Sequence, residues 1–320
     1  MDMKIKKDIF SPLFCILLTL LFHACSSDDH VPTDTCTPLV LSGKIFSIQS
    51  ETATVWSGGQ NIGIYLLKSE TQTPSDGQAN LNYIADNRGT TGYLVPANSQ
   101  TVYLPQDGSS VDIRAYYPYD ADAAGNNHTT TVTIGSSTKG DSFLYSDNCT
   151  SLNNANNKGT VQLKSILSQA DIRFECSVAG AAKINIVVKD AATQATFDLL
   201  SGQYLSYGST AGTSFSLTST TFNQKIPLLP GNANSDATLT VTVRSNSNQV
   251  LATYAPVSLH KVLELEESAA TLPNTNYNIL MQLGEGSEVV SQLTGTSSIC
   301  ILNWSGTEEN PDSGIARPDK

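Results

Sequence analysis

Four histidines and 29 acidic residues are the raw material for acid–base chemistry in this 320-residue chain, and their spacing offers little of it. His23 lies in an apolar N-terminal run and His30 in the polar stretch after it, which leaves His128 and His260, far apart in sequence. A nucleophile needs a base within hydrogen-bond reach, and no Gly-x-Ser-x-Gly elbow, His-Glu-x-x-His helix or phosphate loop provides that pairing. A glycosidase-type carboxylate pair requires no such motif, so a secreted hydrolase stands as a distant third reading. Asp120-Ala121-Asp122-Ala123-Ala124-Gly125 begins like a calcium loop, but Ala124 and Thr131 stand where two oxygen ligands belong. It reads as a polar turn. No Cys-x-x-Cys spacing occurs, which argues against a zinc site. The expectation is a chain with no catalytic residue, no metal and no cofactor.

Two groups of residues carry other chemistry. Tyr116-Tyr117-Pro118-Tyr119, with Trp304, offers rings on which a sugar can stack, which makes a stand-alone glycan-binding surface protein the alternative reading. The competing account is packing: the tyrosines end a strand begun at Val111, so alternate rings face core and solvent, and Pro118 marks the exit from the sheet. The second group is N-terminal. Lys4, Lys6 and Lys7 precede an apolar run from Ile9 to Phe22, and then comes His23-Ala24-Cys25. The basic start, short apolar stretch and small residue have the form of a secretory signal, and the run is shorter than the ~20 residues a spanning helix needs. A cysteine directly after the small residue resembles the bacterial lipobox, with cleavage between Ala24 and Cys25 and acylation of Cys25. Phe22 and His23 depart from its usual Leu and Ala or Ser. Ser26-Ser27-Asp28-Asp29 resembles the acidic signal that carries Bacteroidetes lipoproteins to the cell surface.

Composition suits an exported β-protein. Charged residues make up 15% of the chain, and Ser, Thr, Asn and Gly replace them. A net charge of -11 disfavours nucleic acid, whose phosphates demand a basic face. Cys36, Cys149, Cys176 and Cys300 remain after Cys15 and Cys25, and four cysteines allow three pairings. Cys176 shares a strand face with Ile172, Phe174 and Val178, where a buried thiol and a disulfide are equally expected.

Nearly every periodic segment alternates with period two. Ile62 to Leu67, Val111 to Tyr117, Thr129 to Ile134, Lys183 to Asp190 and Ala237 to Arg244 read as strands, separated by Gly, Pro, Asn and Asp turns. Val161 to Ala170 and His260 to Ser268 read as short helical turns. Many short strands without interleaved helices give an all-β protein of antiparallel sandwiches. Asn148 to Gly159 contains five asparagines and almost no apolar residue, so it reads as a linker. The expected organisation is a signal at 1–24, a lipidated tether at 25–36, a β-sandwich at 37–150, the linker at 151–159, a second β-sandwich at 160–304 and a polar tail at 305–320.

Read together, several segments resemble the fimbrillin family of Bacteroidetes, the type V pilins and their Mfa-like relatives. Trp56-Ser57-Gly58-Gly59-Gln60-Asn61-Ile62-Gly63-Ile64-Tyr65 is similar to the W-x-x-G-D-x-I-G-I-Y entry to that family's first domain. Tyr116-Tyr117-Pro118-Tyr119 matches its Y-Y-P-Y strand end, and Val161 to Phe174 resembles the opening of its second domain. Tyr277 to Met281 and Ile301 to Trp304 resemble its C-terminal strands. The resemblance implies two tandem transthyretin-like sandwiches in a surface lipoprotein anchored to the outer membrane through Cys25. It also implies assembly with other fimbrial subunits by β-strand exchange, in the service of adhesion to host or bacterial surface ligands. The exchangeable edge strand would lie within Thr37 to Ser50, with Leu39, Leu41 and Ile45 in one phase, and Glu288 to Leu293 or Ser298 to Trp304 would be donated. Family members are often matured at an arginine; here Lys44 is the only Lys or Arg between Cys25 and Trp56, which makes it the candidate cleavage position.

Overall fold

The computed structural model describes residues 36–48, 52–86, 89–135, 143–263, 265, 270–284, 289–293 and 301–304, the last two segments by backbone alone. The period-two segments are strands, as their alternation requires. In the first half they are Val40–Phe46 (β1), Ala53–Thr54 (β2), Asn61–Lys68 (β3), Leu81–Ala85 (β4), Gly92–Pro96 (β5), Val111–Tyr117 (β6), Thr129–Thr133 (β7), Leu144–Leu152 (β8) and Lys158–Ser165 (β9). The second half opens with Ser168–Cys176 (β10), Lys183–Lys189 (β11), Gln194–Asp198 (β12), Gln203–Tyr207 (β13), Ser214–Ser219 (β14) and Asn223–Leu228 (β15). Thr238–Arg244 (β16), Val250–Thr253 (β17), Val257–Ser258 (β18), the one-turn helix Leu259–Val262 (α1), Asn276–Leu283 (β19), Val289–Leu293 (β20) and Ile301–Trp304 (β21) complete the order.

The first sheet runs β1-β5-β4-β3-β6-β8-β9, and β9 pairs back to β1 in parallel, so seven strands close on themselves. Closure removes the free edges that an open sheet exposes. Its interior holds the first core, from Leu39 and Leu41 through Trp56, Ile64 and Ile113 to Leu163. The second half stacks the sheet β15-β10-β19-β20-β21 against β14-β11-β16-β17 over a second core that runs from Ala170 to Leu283. Of the expected helical turns, α1 overlaps only the start of the second, His260 to Val262, and Val161 to Ala170 is not helical. Val161 and Leu163 alternate with polar residues and point into the first core as β9, and Ala170 belongs to β10.

The asparagine-rich stretch is not a linker. Residues 144–165 form the β8–β9 hairpin, and the asparagine side chains supply the bonds that the two diverging strands lack. Asn148 Oδ1 accepts from Gln162 N at 2.7 Å and its Nδ2 donates to Thr160 O at 2.9 Å. Asn153 Oδ1 accepts from Ala155 N and Asn156 N, which closes the turn. Low apolar content suggested that it has no core, yet Cys149 and Leu152 enter the first core and side-chain amides replace ladder partners. The change from first-core to second-core strands therefore falls after Ser165, at Ile166 and Leu167.

A third core fills the space there. β7, from the first half, pairs with β12 over five residues in the sheet β13-β12-β7. Around it Tyr65, Tyr116, Phe143 and Tyr145 meet Ile166, Phe197, Leu199 and Leu229. Residues Thr37–Lys320 consequently form one compact unit. β3 shows how tightly this is built: Ile62, Ile64 and Leu66 face the first core while Tyr65 and Leu67 face the third, so six consecutive residues are buried.

Candidate functional site

The segment expected to exchange, Thr37 to Ser50, contains β1, and the structure corrects its expected place. It is not an edge strand. Residues 41–43 pair antiparallel with β5, residues 45 and 46 with β2, and residues 40–45 pair in parallel with β9. Leu39 and Leu41 are buried in the first core, and Ile45 is half-buried against it. Where the strand begins, Leu39 N donates to Val102 O at 2.8 Å and Val40 N to Asn157 O at 3.0 Å. Asn157 Nδ2 donates to Pro38 O at 2.8 Å, so an asparagine of the β8–β9 hairpin grips the start of β1.

Glycines shape the seat. Gly159 is the parallel partner of Leu41, and a Cβ there would run into Cys149 Sγ and lie 3.2 Å from Leu41 Cδ2. Gly43 faces Gly92 across β1 and β5, and the buried indole of Trp56 lies against both, its Nε1 donating to Gly43 O at 2.8 Å. On the outer side Ser42 Oγ and Thr160 Oγ1 lie 2.8 Å apart, and Lys164 Nζ stands 5.9 Å from the Phe46 ring centroid. Lys44, the candidate cleavage position, is half-buried in the middle of β1 opposite Gln162. A protease reaches its peptide bond only if this strand leaves the ladder.

Ala24 and Cys25 lie outside the described residues, as do the polar tail and Cys300. Cys149 is a buried thiol and Cys176 a half-buried one; burial pushes both up from the ordinary thiol pKa. Cys36 is exposed. β20 and β21, the candidate donor strands, extend the sheet of β19 in antiparallel order.

The rings proposed for sugar stacking are committed elsewhere. Tyr116 is 1% exposed, and its hydroxyl donates to Asn80 Oδ1 at 2.6 Å. Tyr117 packs half-buried against the first core and Tyr119 against the third. Three of the four rings thus offer no shared solvent-facing plane, and the side chain of Trp304 lies outside the description. His128 is set edge-on to Tyr65 at 5.5 Å and His260 is buried in α1, so they serve different cores. Among the described residues no three of His, Cys, Asp and Glu come together as metal ligands would.

Sequence reading missed Asp112. It is buried on β6, where Ser69 Oγ, Gln72 Nε2 and Ser151 N donate to its two oxygens at 2.7–2.9 Å. Arg114 reaches Gln72 Oε1 and, from its Nε, Leu200 O in the second half. Burial pushes the Asp112 pKa up, but hydrogen bonds from Gln72, Ser151 and Ser69 and the charge of Arg114 outweigh it, and the net shift is down. A depressed carboxylate contributes stability that is complete above the unfolded pKa, near 3.9, and is lost as pH falls through the folded value. Asp112→Asn should therefore cost about 1–3 kcal/mol at pH 7, with the gap to wild type closing below about pH 4. Urea titrations across that range check both the size and the sign.

Comparison with known proteins places these features in a group. The sequence profile of the fimbrillin-like family matches residues 50–299, from just after β1 to the approach to β21. The candidate fimbrium subunit Fim1C of Bacteroides uniformis is 35% identical over 127 residues, which span 38% of this chain and 41% of that protein. Among solved structures, a candidate cell-adhesion protein from Bacteroides uniformis superimposes with a TM-score of 0.64 at 21% identity, over 82% of this chain and 98% of its own. Another, from Bacteroides ovatus, gives 0.58 at 16% identity over 85% and 99%. At those identities the two structures speak to the fold alone.

Proposed function

The chain belongs to the fimbrillin-like family, and from that membership we propose that it is a structural or accessory subunit of a cell-surface fimbria that joins its neighbours by β-strand exchange. In this reading the chain comprises two transthyretin-like lobes built on the first and second cores. It reaches the outer membrane as a lipoprotein acylated at Cys25 after cleavage behind Ala24, and it serves adhesion.

The observation that carries the reading is the seat of β1. The strand lies between β5 and β9 with its apolar residues inside the ring, so removing it leaves backbone donors and acceptors on two sides and an apolar floor between them. Water satisfies the polar groups but not the floor, and another subunit's strand satisfies both. β1 is continuous with the N-terminal segment, whereas Trp56 and everything after it stays with the body. A cut between β1 and β2 therefore separates occupant from seat at the expense of one peptide bond, with Lys44 available only if the strand first loosens. β20 and β21 lie at the far end of the chain, paired to β19 by one edge, which makes them the segments most readily donated.

The reading is tested with the mature chain carrying a site-specific protease sequence between Ile48 and Thr52. Intact protein should remain monomeric on size exclusion. Cut protein mixed with fimbriae from the same cells should join SDS-resistant ladders with other fimbrial subunits, in bands that begin after the cut. Cut protein that stays monomeric in that mixture, with surface preparations that hold no ladders of this chain, would remove strand exchange and leave a stand-alone surface lipoprotein.

A further inference from the structure

We propose that the β1 seat selects its occupant through a glycine: a strand fits between β5 and β9 only with glycine facing Trp56 and apolar residues two positions to either side. The inference rests on the strand-exchange reading above and names the chemistry of the partner strand.

In β1 and the residue just before it the inward positions read Leu39, Leu41, Gly43 and Ile45. A Cβ on Gly43 would sit 2.9 Å from Trp56 Cζ2 and 3.4 Å from Leu94 Cδ1, closer to the indole than side-chain carbons approach. Gly43 is not among the residues with positive φ, so the demand for glycine here is one of space and not of backbone conformation. The indole cannot step aside. It is 1% exposed, and its opposite edge lies against Gly92, where a Cβ would meet Trp56 Cδ1 at 3.0 Å and Asp86 O at 2.9 Å. Gly43 and Gly92 are cross-strand partners, so the ring bridges the junction of occupant and seat.

The two contacts Trp56 makes with β1 therefore differ in kind. Its N–H bonds a backbone carbonyl, which any strand offers. Its ring requires clearance, which only glycine gives. Trp56 remains on the body after a cut, so it imposes the same requirement on every later occupant. Leu41, nested over Gly159, and Ile45 set the flanking requirement. The partner strand accordingly reads apolar-x-Gly-x-apolar, a pattern that neither β20 nor β21 carries, so this seat takes the strand of a different subunit and rejects by size strands that are apolar throughout.

The cut mature chain described above is incubated with fluorescent peptides of residues 37–46, either native or carrying Gly43→Ala or Gly43→Val, and uptake is read by anisotropy and co-elution. The native peptide should enter, and Gly43→Val should bind about 100-fold more weakly. In a Trp56→Leu body the native peptide should still enter, and the penalty on Gly43→Ala should shrink to severalfold. Should that body refuse the native peptide, Trp56→Phe takes its place in the same comparison. Equal entry of native and Gly43→Val peptides would overturn the glycine rule and leave strand exchange standing, as would a penalty unchanged by shortening Trp56. Entry of no peptide into the wild-type body would overturn strand exchange itself, and the rule with it.

Discussion

Gly63→Ala should destabilise the folded chain by about 3–5 kcal/mol, as much as truncating a large buried ring. Gly63 on β3 is the direct cross-strand partner of Tyr116 on β6, and an added Cβ would collide with the tyrosine ring. The ring has nowhere to go. Its hydroxyl is fixed by Asn80, its face stacks on Phe143 at 6.1 Å, and Tyr65 stands 6.3 Å away on the same side of the sheet. The methyl therefore displaces Tyr116 from the third core. Urea unfolding of Gly63→Ala, Tyr116→Ala and the double variant distinguishes this from a general loss of strand quality. If displacement is the cause, the second substitution adds little to the first. Fully additive losses would show that the two residues act separately.

Phe197→Ala should cost a similar ~3–5 kcal/mol and should also change how the protein unfolds. Phe197 is 1% exposed on β12, with Phe143 at 5.7 Å and Tyr145 at 5.2 Å from the first half and Tyr204 at 5.1 Å from the second. Emptying that position removes the contact through which the two larger cores unfold together. In a Trp304→Phe background Trp56 reports the first core by fluorescence, and far-UV circular dichroism reports all strands. The two curves should coincide for wild type and separate for Phe197→Ala. A single shifted transition seen by both probes would mean that the β7–β12 ladder alone couples the halves.

The strands were legible because alternation is local: Ile62 to Leu67, Val111 to Tyr117 and Lys183 to Asp190 all lie where period two placed them. What pairs with what was not legible. The parallel β1–β9 contact, which turns an expected edge strand into a ring member, joins residues with no shared local pattern. The β8–β9 hairpin was hidden because its bonds come from asparagine side chains, and composition counts those residues as loop formers. Leu39, Leu41 and Ile45 could be picked out by phase. Gly43 sat in the same phase and was passed over, since a glycine in a strand signals close approach only when the approaching group is known. Asp112 gave no signal at all, because three of its partners lie on other segments.

The parallel pairing of β1 also sets an order of events in time. Ser42 and Thr160, which face each other across that pairing, are 118 residues apart. During synthesis, β1 emerges long before β9 exists to receive it, and closing so long a loop is among the slower steps available to a chain. β2 and β5 can meet one side of this strand early, but the side that β9 covers must stay open until half the protein has followed it. Whatever binds extended strands meets this open side first.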